Sequence, residues 1–150
     1  MKEFLRRIFG KAEKRPESDR ATEAELYNTV GLAAVENVGT DNVSVLLYVE
    51  RVEGGLAHCL RYSQAESPHF SGVHIDGKLT AALRRLDEFV MEQPTDKRWA
   101  AMEYFIENGE IDVKFSYKPV NEDIPFWERT PAVVDKYFPG KTSDTASPRS

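Results

Sequence analysis

The sequence predicts an α+β fold, in which two hairpins form an antiparallel four-stranded sheet and three helices pack mainly on one face. Two alternating apolar segments are each interrupted by a glycine-containing turn, which is typical of β-hairpins. Two further segments repeat apolar residues at three- and four-residue steps, and a third carries helix-cap signals. The predicted order is helix, hairpin, helix, hairpin, helix. No strand-helix-strand alternation within this order requires a parallel sheet.

Length and composition favour one domain without a membrane-spanning helix. The chain has 150 residues, of which 41% are hydrophobic and 30% charged, as in ordinary soluble domains. No apolar run approaches the roughly 18 residues of a membrane-spanning helix, and the N-terminus lacks the continuous apolar stretch of a secretory signal. The single cysteine, Cys59, excludes an intrachain disulfide and fits a reducing compartment. We therefore expect a cytoplasmic protein.

The chain divides into three predicted parts. Residues 1–20 form a basic segment and linker, residues 21–140 form the single α+β domain, and residues 141–150 form a disordered tail. Within the first part, residues 1–9 would form a short amphipathic helix that ends at Gly10. Such a helix could lie on an anionic membrane surface. The alternative is that it is disordered or docks on the domain.

The first two helices carry clear boundary signals. Thr22 with Glu25 three residues later is a capping box, and the helical pattern that follows it ends near Gly39. A second, strongly amphipathic helix begins at Lys78 and stops before Pro94, because proline cannot continue a helix.

The first hairpin lies between these two helices. Residues 42–51 alternate as a strand and are apolar on both faces, which suggests an interior strand. Residues 56–63 form the return strand after a turn at Gly54-Gly55. Pairing across this turn sets Val49 opposite Leu60 and Leu47 opposite Tyr62. Residues 64–77 are predicted to be a loop.

The second hairpin is predicted from Asn108-Gly109, because both central residues of a type I′ turn need positive φ. A two-residue turn there sets Glu107 opposite Glu110. One face then receives the apolar pairs Ile106 with Ile111, Tyr104 with Val113, Met102 with Phe115, and Ala100 with Tyr117. The other face, predicted to be largely wet, receives Phe105 with Asp112, Glu103 with Lys114, and Ala101 with Ser116.

The last helix is preceded by two cap signals. Asp123 stands before Pro125 and a plausible first helical turn, and Thr130 stands before Pro131 as a second cap followed by proline at the first helical position. The helix is expected to end near Phe138.

Charge is unevenly distributed along the chain. Residues 1–20 hold seven Lys or Arg against four acids, whereas residues 21–140 hold eleven bases against twenty acids. An acidic domain binds nucleic acid poorly, because Lys and Arg must neutralise phosphates, so no nucleic-acid partner is expected. A basic protein partner is more natural. The alternative interpretation is that the excess acid only maintains solubility.

Candidate catalytic and metal-binding residues are few. His58 and Cys59 are adjacent in a predicted strand, so their side chains point to opposite faces and cannot form a nucleophile-base pair. His69 and His74 lack the further ligands of a zinc motif. The sequence therefore predicts no enzyme, no metal and no cofactor. A small hydrolase would instead require a cleft that gathers one of these histidines with an acid.

Acids interleaved with aromatic residues predict a protein-binding face on and after the second hairpin. Aromatic side chains supply contact area, and carboxylates speed the encounter with a basic target. The predicted contact residues are Glu103, Phe105, Glu107, Glu110, Asp112, Glu122, Asp123 and Phe126. The alternative is that Phe126 and its neighbour Trp127 close the core.

The segment RWAAMEYFIENGEIDVKFSYKP, followed by the Trp127 region and DKYFPGK, resembles the YezG-like immunity-protein family. The shared features are a strand, a tight glycine turn, a strand that ends in Phe115-Ser116-Tyr117, an acidic stretch, and a final helix with a Trp and a terminal aromatic. The likeness covers about the last third of the chain, and the order of elements is also similar. Ser116, where family members often carry an acid, and the basic N-terminal extension depart from the pattern.

This resemblance implies a small cytoplasmic bacterial protein, encoded beside a polymorphic toxin, that binds the toxin's C-terminal domain and blocks it. We therefore expect an immunity protein whose partner is a nuclease or another effector with a basic cleft. Because relatives oppose different toxins, the resemblance transfers no interface residues. The alternative function is a peripheral membrane adaptor that contacts lipid through residues 1–9. The sequence leaves the oligomeric state open.

Overall fold

The computed structural model describes residues 17–144, with side chains from residue 22 onward, so the predicted membrane-surface helix over residues 1–9 lies outside the described residues. The fold is α+β, as the sequence predicts. The described residues form the helices α1 (Glu17–Val38), α2 (Gly77–Met91) and α3 (Phe126–Tyr137) and a short 3₁₀ helix at Thr95–Lys97. The strands are β1 (Val43–Val52), β2 (Gly55–Gln64), β3 (His69–Val73), β4 (Ala101–Glu107), β5 (Glu110–Ser116) and β6 (Thr142–Ser143).

The strands of this part of the chain form one mixed sheet in the order β5-β4-β1-β2-β3-β6. The prediction of four antiparallel strands is wrong in detail, because the described residues form two further strands and one strand pair is parallel. β3 lies in the predicted loop over residues 64–77, and β6 lies in the predicted tail and pairs parallel with β3. Both extra strands depend on distant backbone partners: Thr142 N donates to Pro68 O at 3.1 Å, and Asp144 N donates to Phe70 O at 3.0 Å. The local sequence pattern does not indicate which distant backbone groups a short strand will pair with.

The β4–β5 hairpin confirms the register predicted from Asn108-Gly109. The two turn residues have φ values of 55° and 76°, and Glu107 pairs with Glu110. The ladder continues to the pair of Ala101 with Ser116. The face that carries Tyr104 packs into the core, as expected.

The β1–β2 hairpin has a different register from the predicted one. Its turn is Glu53-Gly54, and Val52 pairs with Gly55. Consequently Leu47 faces Leu60 and Val49 faces His58, which is a shift of two residues from the prediction. Two adjacent glycines offered two turn positions, and Gly55, with φ of 148°, joins the strand. Because the shift is even, each side chain stays on its predicted face.

Helices pack on both faces of the sheet. α1 and α2 pack on the face that carries Val45, Leu47 and Val49, where Trp99 Nε1 donates to Tyr27 Oη at 2.7 Å. α3 packs on the opposite face, although the sequence predicted that the helices pack mainly on one face. Two of the three α-helices in residues 17–144 therefore share one face, and the other face is covered at its centre and open beside β2 and β3.

The predicted start of α1 is wrong, whereas both ends of α2 are confirmed. α1 begins at Glu17, five residues before Thr22, so the expected cap residue lies inside the helix. α2 begins after Asp76, whose Oδ1 accepts from Leu79 N at 2.8 Å, and ends before Pro94. None of the helices in residues 17–144 is long and apolar enough to cross a membrane.

Neither predicted cap of the last helix is used. α3 is continuous, with Pro125 at the N-cap position and no side-chain cap. Thr130 lies inside α3, where its Oγ1 donates to Phe126 O at 2.6 Å, and Pro131 follows it within the helix. Packing against the sheet therefore sets this helix more than its sequence signals do.

Candidate functional site

Two of the predicted contact residues hold α3 against the sheet instead of facing outward. Glu103 accepts from Lys136 Nζ at 2.7 Å and from Tyr137 Oη at 2.6 Å. Phe105 packs on Tyr137, with their ring centroids 4.7 Å apart. Burial and then the bond to Glu103 raise the pKa of Tyr137 above its ordinary value, so its hydroxyl remains a donor. The face predicted to be wet is thus partly an internal contact.

The exposed acids do not form one surface. Glu107 and Glu110 lie at the tip of the β4–β5 hairpin, where Glu107 Oε2 accepts from Ser44 Oγ at 3.0 Å. Glu122 lies beside the β1–β2 turn and accepts from Glu53 N at 3.3 Å. Because β1 runs antiparallel to β4, the hairpin tip and this turn lie at opposite ends of β1. Asp112 lies between them on β5 and is exposed.

An exposed aromatic residue stands among the acids at the start of α3. Trp127 is 74% exposed and Ile124 is 42% exposed. We define the α3-entry patch as these two residues with the exposed acids Glu122, Asp123 and Glu128.

The neighbouring aromatic residue behaves differently from Trp127. Phe126 is half-buried and stacks on Tyr48, with their ring centroids 6.0 Å apart and an interplanar angle of 9°. The alternative prediction, that these two residues close the core, is therefore confirmed for Phe126 and wrong for Trp127. The large apolar surface that remains in water belongs to the residue that was left out of the predicted contact set.

A buried ion pair holds the α3-entry patch in place. Glu50 is fully buried in β1 and pairs with the Arg129 guanidinium, whose side chain is 14% exposed. The same guanidinium donates to the Ile124 carbonyl and, at 2.8 Å, to Asn121 O. Tyr48 Oη donates to Glu50 Oε2 at 2.5 Å. This network ties the loop before α3 to the centre of the sheet.

The second surface feature is a groove between α3 and strands β2 and β3, with a volume of about 1140 Å³. We call it the α3–β3 groove. Its aromatic and charged lining includes Arg61, Phe70, Phe126, Trp127, Asp135 and Lys141. Trp127 therefore belongs both to the groove and to the α3-entry patch.

His58 and Cys59 also line the groove, but they do not form a catalytic pair. They are consecutive in β2, so their side chains point to opposite faces of the sheet, as the sequence predicts. Burial raises the pKa of the Cys59 thiol to about 11, and burial lowers the pKa of His58 below its ordinary value. The thiol is therefore protonated at neutral pH. Within residues 22–144, no group of three or more His, Cys, Asp or Glu side chains is placed to hold a metal ion.

Cys59 is expected to react slowly with thiol reagents in the folded protein. At pH 8 its thiolate fraction should be about 100-fold below that of an ordinary cysteine, because the reactive species is the thiolate and its pKa is about 11. The measurement is the rate of reaction with 5,5′-dithiobis(2-nitrobenzoate) in buffer and in 8 M urea. Similar rates in the two conditions would contradict the burial of this side chain.

Sequence reasoning missed the groove because its charged residues come from distant segments. Arg61 was a charged residue in a predicted strand, but the residues that share its groove come from β3, α3 and residues 141–143. Comparison with protein-family models found no matching family, and comparison with curated proteins found no matching relative. The resemblance to YezG-like immunity proteins therefore stays a prediction.

Proposed function

We propose that this chain is an immunity protein that binds the C-terminal domain of a cognate polymorphic toxin and blocks its active site. The α3-entry patch carries the proposal. Monomeric domains expose few tryptophans to this extent, and aromatic residues of this kind are the usual energetic centres of protein interfaces. At 74% exposed, Trp127 has most of its surface available to a partner.

The charges around the patch favour a basic partner. Glu122, Asp123 and Glu128 are all exposed beside Trp127, and carboxylates at the rim of an interface accelerate association with a cationic surface. A nuclease or another effector with a basic substrate cleft has such a surface. Steric occlusion of that cleft needs shape and charge only.

Preorganisation also supports the proposal. Arg129 holds the carbonyls of Asn121 and Ile124, so the backbone of the patch is ordered before binding. An ordered surface loses less conformational entropy when the partner docks. The β4–β5 hairpin has the strand, glycine turn and strand on which the family resemblance depends.

The proposed contact set differs from the one predicted from the sequence. Glu103, Phe105 and Phe126 are committed to internal contacts and leave the set. Trp127 and Ile124 enter it. The remaining acids fall into the α3-entry patch and, at the other end of β1, the hairpin tip.

The deciding experiment mixes the purified chain with the toxin domain encoded by the adjacent gene. We expect a stable complex in size-exclusion chromatography and loss of toxin activity. Trp127→Ala should weaken the complex at least tenfold, because truncation of an aromatic interface centre typically costs about 2 kcal/mol or more. Leu32→Ala is the matched control, since Leu32 is 43% exposed on α1. Full toxin activity in excess chain would contradict the proposal, and unchanged affinity of Trp127→Ala would remove the patch from the interface.

Charge reversal at the hairpin tip tests the second acidic site separately. The double variant Glu107→Lys with Glu110→Lys should slow association up to about tenfold at low salt and reduce its salt dependence. Its urea unfolding midpoint should change little, because both side chains are exposed. Stopped-flow association at several salt concentrations measures this effect. Identical association rates for variant and wild type would leave the α3-entry patch as the only acidic contact proposed here.

A further inference from the structure

The α3–β3 groove opens where β3 leaves the sheet. β3 pairs with β2 only from Tyr62 to Leu60, and the chain then turns away after Val73. The floor of the groove is therefore sheet, and one wall is the side of α3 that carries Phe126 and Val134. Its volume of about 1140 Å³ is slightly above the range of small-molecule pockets, which measure roughly 300 to 1,000 Å³.

Arg61 lies on this floor with its guanidinium largely uncommitted. A Cβ atom on Gly72 would lie 3.0 Å from its Nη1 and 3.2 Å from its Cζ, so the guanidinium rests against bare backbone. Nη1 donates to Leu60 O at 3.1 Å. Among the residues with described side chains, no carboxylate lies within ion-pair distance of Arg61. The remaining donors form a planar fork that suits an anionic group.

A second cation lies at the end of the groove formed by residues 141–143. Lys141 Nζ donates to Ser63 Oγ at 2.7 Å and to Gln64 O at 2.8 Å, both of which are uncharged. Among the described lining residues the one acid is Asp135, which is exposed on α3. The groove is thus net positive in a chain whose net charge is −5, while its aromatic walls offer apolar contact.

We propose that the α3–β3 groove binds a small organic anion, with the anionic group on the Arg61 guanidinium and an apolar or aromatic body against Phe126 and Phe70. A compact ligand with one charge fits better than an extended acidic peptide, because Asp135 in the lining would repel further carboxylates. This proposal does not depend on the proposed inhibition of a toxin.

The test uses two probes that differ in one charged group. 8-Anilinonaphthalene-1-sulfonate carries a sulfonate, and N-phenyl-1-naphthylamine is its uncharged counterpart. Fluorescence titration of the full chain should show one saturable sulfonate-probe site, with affinity at least tenfold higher than that of the uncharged probe. Equal affinities for the two probes would overturn the proposal, because the guanidinium would then contribute nothing.

Substitutions test whether the sulfonate probe binds at Arg61. Arg61→Gln should lower the affinity for the sulfonate probe about tenfold or more, since a charge-assisted hydrogen bond is lost, and should leave the uncharged probe little affected. Arg84→Gln, an exposed arginine on α2, is the control and should bind as wild type does. Gly72→Ala displaces the guanidinium without removing its charge, and it should also lower the affinity for the sulfonate probe. It decides the question if Arg61→Gln does not fold. Wild-type affinity in these groove variants, or an equal loss in Arg84→Gln, would refute the site.

Discussion

Arg129→Ala is expected to lower the free energy of unfolding by about 3 to 5 kcal/mol, because it leaves the buried Glu50 carboxylate without its countercharge. Glu50 is 0% exposed, so in the intact protein its carboxylate depends on protein donors for its solvation. Tyr48 Oη would remain as one donor. The loop before α3 would also lose the donors to Asn121 O and Ile124 O. Since a domain of this size has only about 5 to 15 kcal/mol of stability in total, this variant should be close to unfolding.

Two further variants identify the buried charge as the cause. The double variant Glu50→Leu with Arg129→Met removes both charges and should be much more stable than Arg129→Ala, because no uncompensated ion remains. Lys136→Ala breaks an exposed pair with Glu103, in which the lysine side chain is 58% exposed. It should cost less than about 1 kcal/mol. Urea unfolding followed by circular dichroism measures all three. A double variant as unstable as Arg129→Ala would show that packing, and not charge, dominates.

Gly31→Ala should lower the free energy of unfolding by about 2 to 4 kcal/mol, from overpacking and the strain on one buried hydrogen bond. A Cβ atom at Gly31 would lie 2.2 Å from Tyr104 Oη and 2.9 Å from its Cζ. Tyr104 is fully buried in β4 and its hydroxyl donates to Tyr27 O at 2.9 Å, so the ring has nowhere to move. The expected sign is opposite to that of alanine in an ordinary helix, where it stabilises relative to glycine.

A double-mutant cycle separates the steric clash from helix propensity. Tyr104→Phe removes the hydroxyl and by itself should cost about 0.5 to 1.5 kcal/mol, because one buried hydrogen bond to Tyr27 O is lost while the helix backbone still supplies a donor. Combined with Gly31→Ala, it should restore part of the loss, since the 2.2 Å contact disappears. Additive effects in the cycle would mean that the two residues do not meet. Thermal or urea unfolding of the four proteins gives the coupling energy.

The β4–β5 hairpin shows which structure local chemistry determines. Asn108 and Gly109 tolerate the positive φ that the turn needs, and the alternating strands allow one register in which a face is apolar. α2 is similar, because Asp76 at one end and Pro94 at the other are themselves boundary signals. In the β1–β2 hairpin two neighbouring glycines made two turns equivalent locally, and only the pairing of the finished sheet selected one.

The candidate surfaces depend on tertiary contacts that local sequence patterns do not predict. Exposure of Trp127 and burial of Phe126 follow from the orientation of α3 on the sheet, and neighbouring residues of one helix have no local property that assigns these roles. The separation of Glu107 from Glu122 follows from the antiparallel pairing of β1 with β4. The groove around Arg61 is bounded by β3 and β6, whose paired residues are 73 positions apart in the chain.

The sequence by itself determined the α+β class, the acidic character of the domain, the β4–β5 register and the limits of α2, because these depend on φ preferences, periodicity and charge within a few residues. The tertiary structure decided the strand count, the face on which α3 lies, the buried pair of Glu50 with Arg129, and which acids and aromatics reach solvent. These depend on contacts between distant segments, whose free energy appears only when the segments pack together.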